Sequence, residues 1–396
     1  MAKGKGGFIG QDGLNAPDSP TAVSGTAGNT TVSVAFTAPT DVGGSAITGY
    51  RVQDGTNSHG ASGSSSPVTV TGLTNGTSYT FSVWAINAFG YSAPSDASTG
   101  VSPVAPVYGV WFGGYNGSSR QNSITSLNID ALGNASDFGD LSAATQGTAA
   151  ASSTTRAVCG LGDASGPVNT LEYIEYDTTG NATDFGDLVG ERRYFAGAGN
   201  STRGIFAGGS NNSGDTNTIQ YITFSSTGNA TDFGDLSATC SDSKASSSPT
   251  RTVISLGISG GAASNVIDYI TTASTGNASD FGDLTVARWG AASASSSTRA
   301  LFMGGGSYTN TIDYVTISST GNATDFGDVS KSISQAGACS NNTRAVVNNA
   351  QQSPSAQGRN LYYVTIASTG NTDYFGDLGI SVNRTSATSQ GHGGLQ

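Results

Sequence analysis

A phrase close to Gly-Asn-Ala-Thr-Asp-Phe-Gly-Asp-Leu occurs six times, at Gly133–Leu141, Gly180–Leu188, Gly228–Leu236, Gly276–Leu284, Gly321–Val329 and Gly370–Leu378. The first glycines of successive copies are 47, 48, 48, 45 and 49 residues apart. A steady period of this size implies one structural unit per copy, each burying its apolar face on the next. Within a period, 23 residues always separate the phrase glycine from an arginine: Arg156, Arg203, Arg251, Arg299 and Arg344. From that arginine to the next phrase the distance varies from 22 to 26 residues. Constant spans belong to packed strands and variable spans to exposed loops, so length changes are confined to the stretch after the second strand.

One period, residues 284–328, reads as four short strands. Leu284–Ser293 is the first and Thr298–Met303 the second, ended by Gly304-Gly305-Gly306. Thr311–Ser318 is the third, and Thr324–Asp328 the fourth, with Phe326 filling the gap to the neighbouring unit. Ser319–Asn322 is the turn between the last two, where Gly and Asn tolerate positive φ. Four strands in about 48 residues describe one propeller blade. Residues 379–396 supply the first strand of a blade whose other strands come from 107–141, so the count predicts six blades over 107–396, closed by shared terminal strands. Composition agrees: 57 glycines and 11% charged residues suit an all-β chain, and recurring Tyr, Phe, Ile and Val argue against disorder.

Residues 16–104 read as an antiparallel sandwich, with alternating runs at Thr31–Phe36, Ile47–Gln53, Val68–Thr71 and Tyr79–Asn87 between Pro/Gly/Asn turns. At Pro20, Phe36, Tyr50, Gly72-Leu73, Tyr79 and Ala85–Asn87 this segment resembles a fibronectin type III domain. Gly72–Tyr79 matches that family's tyrosine corner, in which a Tyr hydroxyl bonds to upstream backbone. Ser92-Ala93-Pro94-Ser95 matches its entry to the last strand, and Phe36 stands where the family usually has Trp. Residues 107–396, with an apolar strand ending in Gly-Gly, Tyr173, Tyr221, Tyr269, Tyr314 and Tyr363 in the third strands and Phe in the fourth, resemble a kelch-type propeller. That family usually has Trp where these Phe stand. The resemblance implies architecture and not activity, because such scaffolds host both enzymes and binding modules.

Chemistry-bearing residues are few. The net charge of −11 argues against nucleic acid, and 12 of the 27 acidic residues belong to the phrase itself. Cys159, Cys240 and Cys339 form no Cys-x-x-Cys pair and read as free buried thiols. Met1–Phe8 has no apolar signal region, and no run approaches the ~20 apolar residues that span a bilayer, so no membrane insertion is expected. His59 and His392 are the only histidines, so no metal site and no Ser-His-Asp arrangement can be assembled. The Asp-Phe-Gly triplet lacks the other parts of a kinase. The paired aspartates are expected to accept turn and strand-end N–H groups rather than bind Ca²⁺. Asn134, Asn181, Asn229, Asn277 and Asn322 read as turn residues, not glycan acceptors. The repeated arginines are expected to bond or pair locally, an aspartate of the neighbouring fourth strand being one candidate partner, with a ring that lines an anion-binding channel as the alternative. Glu172, Glu175 and Glu191 are the only glutamates for a glycosidase-type pair. No catalytic residue and no cofactor is expected; a kelch-type enzyme is the remote alternative.

Residues 1–15 form a Gly-rich leader, either a disordered tail or an extended anchor, with Phe8, Ile9, Gln11 and Leu14 as its contact residues. In the propeller, binding residues are expected in the variable loops: Tyr115, Asn116, Arg120, Asp163, Asn211, Asn212, Asp215, Tyr308, Gln351, Gln352 and Arg359. The run Gly6–Asp18 entering the fibronectin-like domain, together with the repeat style, resembles virion structural and fibre proteins of marine tailed bacteriophages, particularly cyanophages. The resemblance implies a multicopy or homo-oligomeric virion surface protein. Its leader and sandwich would dock on other virion proteins, and its propeller would touch host surface polysaccharide. A capsid-decorating protein with little receptor role is the alternative.

Overall fold

The computed structural model describes residues 15–306, 308–353 and 356–395, without the side chains of 351–357. The anchor residues Phe8, Ile9, Gln11 and Leu14 lie outside the described residues. The chain is all-β and divides into two compact units, the first ending at Pro106 and the second beginning at Val107. No helix among the described residues is long and apolar enough to cross a membrane.

The first unit has two sheets. One orders Thr21–Gly28, Thr31–Thr37 and Val68–Thr71; the other orders Gly60–Gly63, Gly49–Asp54, Phe81–Asn87 and Gly90–Tyr91. Alternation drives the packing: Val32, Val34 and Phe36 from one sheet meet Tyr50, Val52, Phe81 and Val83 from the other. Phe36 lies 4.7 Å from the Tyr50 ring. The Tyr79 hydroxyl accepts the Thr74 N–H at 3.0 Å, which makes the tyrosine corner. Ser92, Ser95 and Ser98 accept the N–H groups of Ala85, Val83 and Phe81, satisfying that strand's outer edge.

The second unit contains six successive antiparallel sheets, each carrying one copy of the phrase on its fourth strand. The innermost strands are Ala149–Ser152, Ala196–Gly199, Lys244–Ser247, Ala292–Ser295, Ala338–Ser340 and Ser386–Ser389. Each contacts the innermost strand of the next sheet, and Ser386–Ser389 contacts both Ala338–Ser340 and Ala149–Ser152. Ser386–Ser389 also pairs with Gly109–Phe112, so the last strand of the chain and Tyr108–Tyr115 share one sheet.

The first-strand reading of Leu284–Ser293 is corrected: the strand is Ala292–Ser295. Leu284 is buried at the end of the outer strand, and the intervening residues cross from that outer edge to the next inner position. In the sheets ending Ser136–Thr145, Thr183–Arg192 and Thr231–Ser241, the corresponding residues prolong the outer strand instead.

Six apolar clusters join adjacent sheets, and each holds one phrase phenylalanine. Phe326, for example, packs among Leu301 and Ile312 of its own sheet and Val347 and Val364 of the next. Phe375 joins the sixth sheet to Leu127 and Ile129 of the first.

The phrase also interlocks with its neighbour. The N–H of Asp140 donates to Asn181 Oδ1 at 3.0 Å, and the same bond recurs from Asp187 to Asn229, Asp235 to Asn277, Asp283 to Asn322, Asp328 to Asn371 and Asp377 to Asn134. Two backbone bonds accompany each, such as Gly180 N–H to the Phe138 carbonyl (2.8 Å) and Ala182 N–H to the Asp140 carbonyl (2.9 Å). The second phrase glycine permits this approach: a Cβ on Gly234 would lie 2.4 Å from the Gly276 carbonyl oxygen, and φ there is +148°. The recurring partner is therefore the aspartate backbone and not the expected carboxylate, although the Asp377 carboxylate does accept the Gly379 N–H.

The repeated arginines do bond locally, but the suggested aspartate partner is corrected. Each repeated arginine lies over the third-strand tyrosine of its own sheet, Arg251 at 4.7 Å from the Tyr269 centroid. Its guanidinium then donates to carbonyls just past the third strand of the next sheet, Arg251 to Ile317 and Ser318, and Arg344 to Ile129. Arg156 alone of the five adds an acid, Glu175. The aspartates of the fourth strands stand at the outer edge, out of this path, whereas the strand-end carbonyls are unpaired acceptors within it.

Candidate functional site

The inner strands carry almost nothing but Ala, Gly, Ser and Thr, because six of them converge. Between them lies a cavity of about 40 Å³, lined by residues that include Ala198, Ser246, Ala294, Cys339, Thr388 and His392. The two ends of these strands differ.

At their C-terminal ends the hydroxyls are consumed internally. Ser295 donates to the Ser247 carbonyl (2.8 Å), Ser340 to Ser295 (2.7 Å), Ser389 to Ser340, and Ser152 to Ser389 (2.8 Å). Residues 391–395 pack against this end. Gly394 N–H donates to His392 Nδ1, so Nε2–H is the group that meets the Ser152 carbonyl at 3.0 Å. Burial pushes the His392 imidazole down to about 4, so it is neutral. A Cβ on Gly393 would lie 2.1 Å from the Ser296 carbonyl oxygen, so glycine is required. This end is filled by the chain itself.

At their N-terminal ends stand six left-handed residues: Gly147, Tyr194, Asp242, Gly290, Gln335 and Arg384. Each lies 14 residues after a phrase glycine. They bond one to the next: Tyr194 N–H to Gly147 O (2.8 Å), Gly147 to Arg384 (2.7 Å), Arg384 to Gln335 (2.8 Å), Gln335 to Gly290 (2.7 Å) and Gly290 to Asp242 (3.2 Å). This circuit of five bonds, open between Asp242 and Tyr194, fixes the backbone and leaves the side chains free to differ. Four of the six are not glycine, and each such residue holds a conformation that costs about 1 kcal/mol.

Polar side chains converge here. Arg384 donates to Gln335 Oε1 and Gln146 Oε1, both at 3.1 Å, and lies 5.6 Å from the Tyr115 ring and 5.9 Å from the Tyr194 ring. Gln146 donates onward to Asp163 at 3.0 Å. Asp163 is buried and also receives Arg120 at 3.1 Å, with Arg193 at 3.6 Å. Burial alone would raise its pKa, but the hydrogen bonds from Gln146 and Arg120 and the charges of Arg120 and Arg193 hold it below the ordinary value. Asp242 goes the other way: burial pushes it up to about 6 against the pull of Lys244, Arg384 and Gln335. A water-sized cavity of about 10 Å³ sits among Tyr194, Asp242, Lys244, Gln335 and Arg384.

Of the residues expected to bind, Tyr115, Arg120 and Asp163 are brought together at this end. The others are not. Asn116 caps its own turn by accepting the Ser118 and Ser119 N–H groups, and Asn211 does the same for Ser213. Asn212 and Asp215 are exposed on one hairpin. Tyr308 is a half-buried left-handed turn residue, and Arg359 pairs with Asp377 at 2.8 Å. Gln351 and Gln352 fall on the short strand Gln351–Ser353, and their side chains lie outside the described residues. The residues missed by sequence reasoning are Gln146, Arg193, Tyr194, Asp242, Lys244, Gln335 and Arg384. Their signal was present: the position 14 residues past each phrase glycine reads Gly, Tyr, Asp, Gly, Gln, Arg inside a span of constant length.

Other candidate chemistry is occupied. Glu172 is buried on Ser142, Glu175 pairs with Arg156, and the three cysteines are free and buried. Among the described residues no group of three or more His, Cys, Asp or Glu is placed to hold a metal ion.

Comparison with protein families matches residues 16–101 to the fibronectin type III domain. This segment is a fibronectin type III domain. Its sandwich and tyrosine corner account for the first unit, and the domain's Ser92–Ser98 edge is part of the same sheet closure. A search of curated proteins gives no match to the chain.

Proposed function

We propose that the second unit is a six-bladed, kelch-like propeller and that the protein works by binding, as a virion surface protein of the tail-fibre or appendage type. The cyclic order of inner-strand contacts and the recurring phrase interlock support the propeller reading. One observation carries the binding reading. Six positions share one backbone conformation and are linked in order by five backbone hydrogen bonds, yet present Gly, Tyr, Asp, Gly, Gln and Arg at one end of the inner strands. A scaffold that needs only the backbone has no use for that variety. In this reading the fibronectin type III domain spaces the propeller from the particle, and residues 1–15 dock on other virion proteins. The propeller meets host surface polysaccharide.

An array of host polysaccharides probed with the full chain tests the adhesion reading: binding to at least one is expected, and no binding to any would refute it. Unchanged incorporation into particles after deletion of residues 1–15 would refute the anchor. A second reading, particle decoration with little receptor role, draws on Asn116 and Asn211, whose side chains are spent on their own turns. The same array separates the two.

A further inference from the structure

Lys244 is out of place. It is the only charged residue on the six inner strands, and the equivalent positions, 16 residues past each phrase glycine, hold Ala149, Ala196, Ala292, Gly337 and Ser386. The fold therefore accepts a small residue there and has no need of a cation. Lys244 lines the water-sized cavity, and Asp242 is the counter-charge that acts on its ammonium. Burying part of a lysine without a hydrogen-bond partner is unfavourable, and here only the charge of Asp242 offsets it. Arg384, on the same cavity, donates its side-chain hydrogen bonds to the neutral amides Gln335 and Gln146 rather than to an acid. The charges at this end are Arg120, Arg193, Lys244 and Arg384 against Asp163, Asp242 and the exposed Asp215, whose charge reaches Asp242. Asp163 is engaged by Arg120 and Arg193. Lys244 and Arg384 face Asp242 and Asp215, so the four cations and three carboxylates leave a local excess of one positive charge in a chain of net charge −11. The Tyr194 and Tyr115 rings flank the guanidinium and add flat apolar faces of the kind that pack against sugar rings.

We propose that Lys244 and Arg384, flanked by Tyr194 and Tyr115, receive the single negative charge of an acidic sugar, a uronate carboxylate or a sulfate ester, on a polysaccharide. The cavity is too small to enclose a sugar, so the ring lies over the circuit of left-handed residues and only its charged group reaches the two cations. This site rests on the adhesion reading and gives it a ligand class.

The test titrates the full chain by calorimetry with polygalacturonate, its carboxyl-reduced neutral counterpart, a sulfated galactan and poly-glutamate. Lys244→Ala and Arg384→Gln each install a residue that the fold already uses at an equivalent position; Lys244→Ala is expected to melt with the wild type, and Arg384→Gln to fold but melt lower, because it gives up the bonds to Gln335 and Gln146. Polygalacturonate or the sulfated galactan, whichever carries the matching charge, is expected to bind and to lose about tenfold or more in affinity in each variant. The neutral polymer is expected not to bind. Equal binding of the neutral polymer, or unchanged affinity in Lys244→Ala, overturns the proposal while leaving adhesion standing. Equal binding of poly-glutamate with the same variant losses overturns the sugar class. No binding of any glycan, here or on the array, removes the adhesion reading itself.

Discussion

Two features of the second unit recur six times, and they recur differently. The phrase repeats in sequence and in structure: its Asn side chain, its Phe and its second Gly each make one contact with the neighbouring sheet that no other residue makes as well. The left-handed circuit repeats in structure alone. Its bonds run through backbone N–H and C=O groups, so any residue able to carry the conformation serves, and six positions hold five residue types. Where the side chain does the joining, the sequence is constant. Where the backbone does, the side chain is available for other work.

Glycine substitution breaks this contrast most sharply. Gly234→Ala sets a Cβ against the Gly276 carbonyl oxygen in a left-handed conformation, with backbone on both sides that cannot yield. A loss on the order of 4 kcal/mol in the unfolding free energy is expected by guanidinium denaturation. Gly290→Ala in the circuit has the same kind of φ, +60°, but its nearest neighbour is the flexible Gln335 Cγ at 3.1 Å. The expected loss there is about 1 kcal/mol, the conformational term alone.

Protonation separates the two ends of the inner strands. Asp242, raised to about 6 from an ordinary 3.8, is bound more tightly to its proton in the folded state. Its contribution is full below pH 4 and is lost as pH rises through 6, by about 3 kcal/mol. His392, lowered to about 4 from 6.5, has the opposite sign: its contribution is full above pH 6.5 and is lost as pH falls toward 4. The two slopes oppose each other in the wild type. Asp242→Asn keeps a residue suited to the left-handed conformation and removes one slope. Its melting temperature is then expected to climb steadily from pH 4 to 6.5, where the wild type stays flatter; parallel curves would count against the burial of Asp242.

The smallest effect expected belongs to one phrase interlock. Asn229→Ala removes the acceptor of the Asp187 N–H and should cost about 1 kcal/mol in the same denaturation experiment. No change would mean that this bond is replaced by water without penalty.

The period, the four strands per unit and the buried Phe were legible because each is a local pattern or a count. The fibronectin type III domain was legible for the same reason, through Gly72–Tyr79. The Asn181 interlock was not, since its partner lies 41 residues away and a turn asparagine looks alike whether it caps its own turn or another sheet. Arg251 was misread because a carboxylate is a more obvious partner than the carbonyls of Ile317 and Ser318. The candidate site was half visible. Arg120 and Asp163 drew attention as polar loop residues, and they do reach it, largely to neutralise each other. Tyr194, Asp242 and Arg384 were passed over because constant length suggested scaffold. Length reports the backbone, and here the backbone is indeed constant; residue identity at that position carried the remaining information.

The central claim is that constant residues join the sheets and variable ones bind. It is tested most directly by titrating polygalacturonate and the sulfated galactan into the full-length wild type, Lys244→Ala and Asn229→Ala, with melting temperatures measured alongside. The account predicts that Lys244→Ala loses affinity and melts with the wild type, while Asn229→Ala melts lower and binds as the wild type does. Binding that weakens in Asn229→Ala and survives in Lys244→Ala would contradict it.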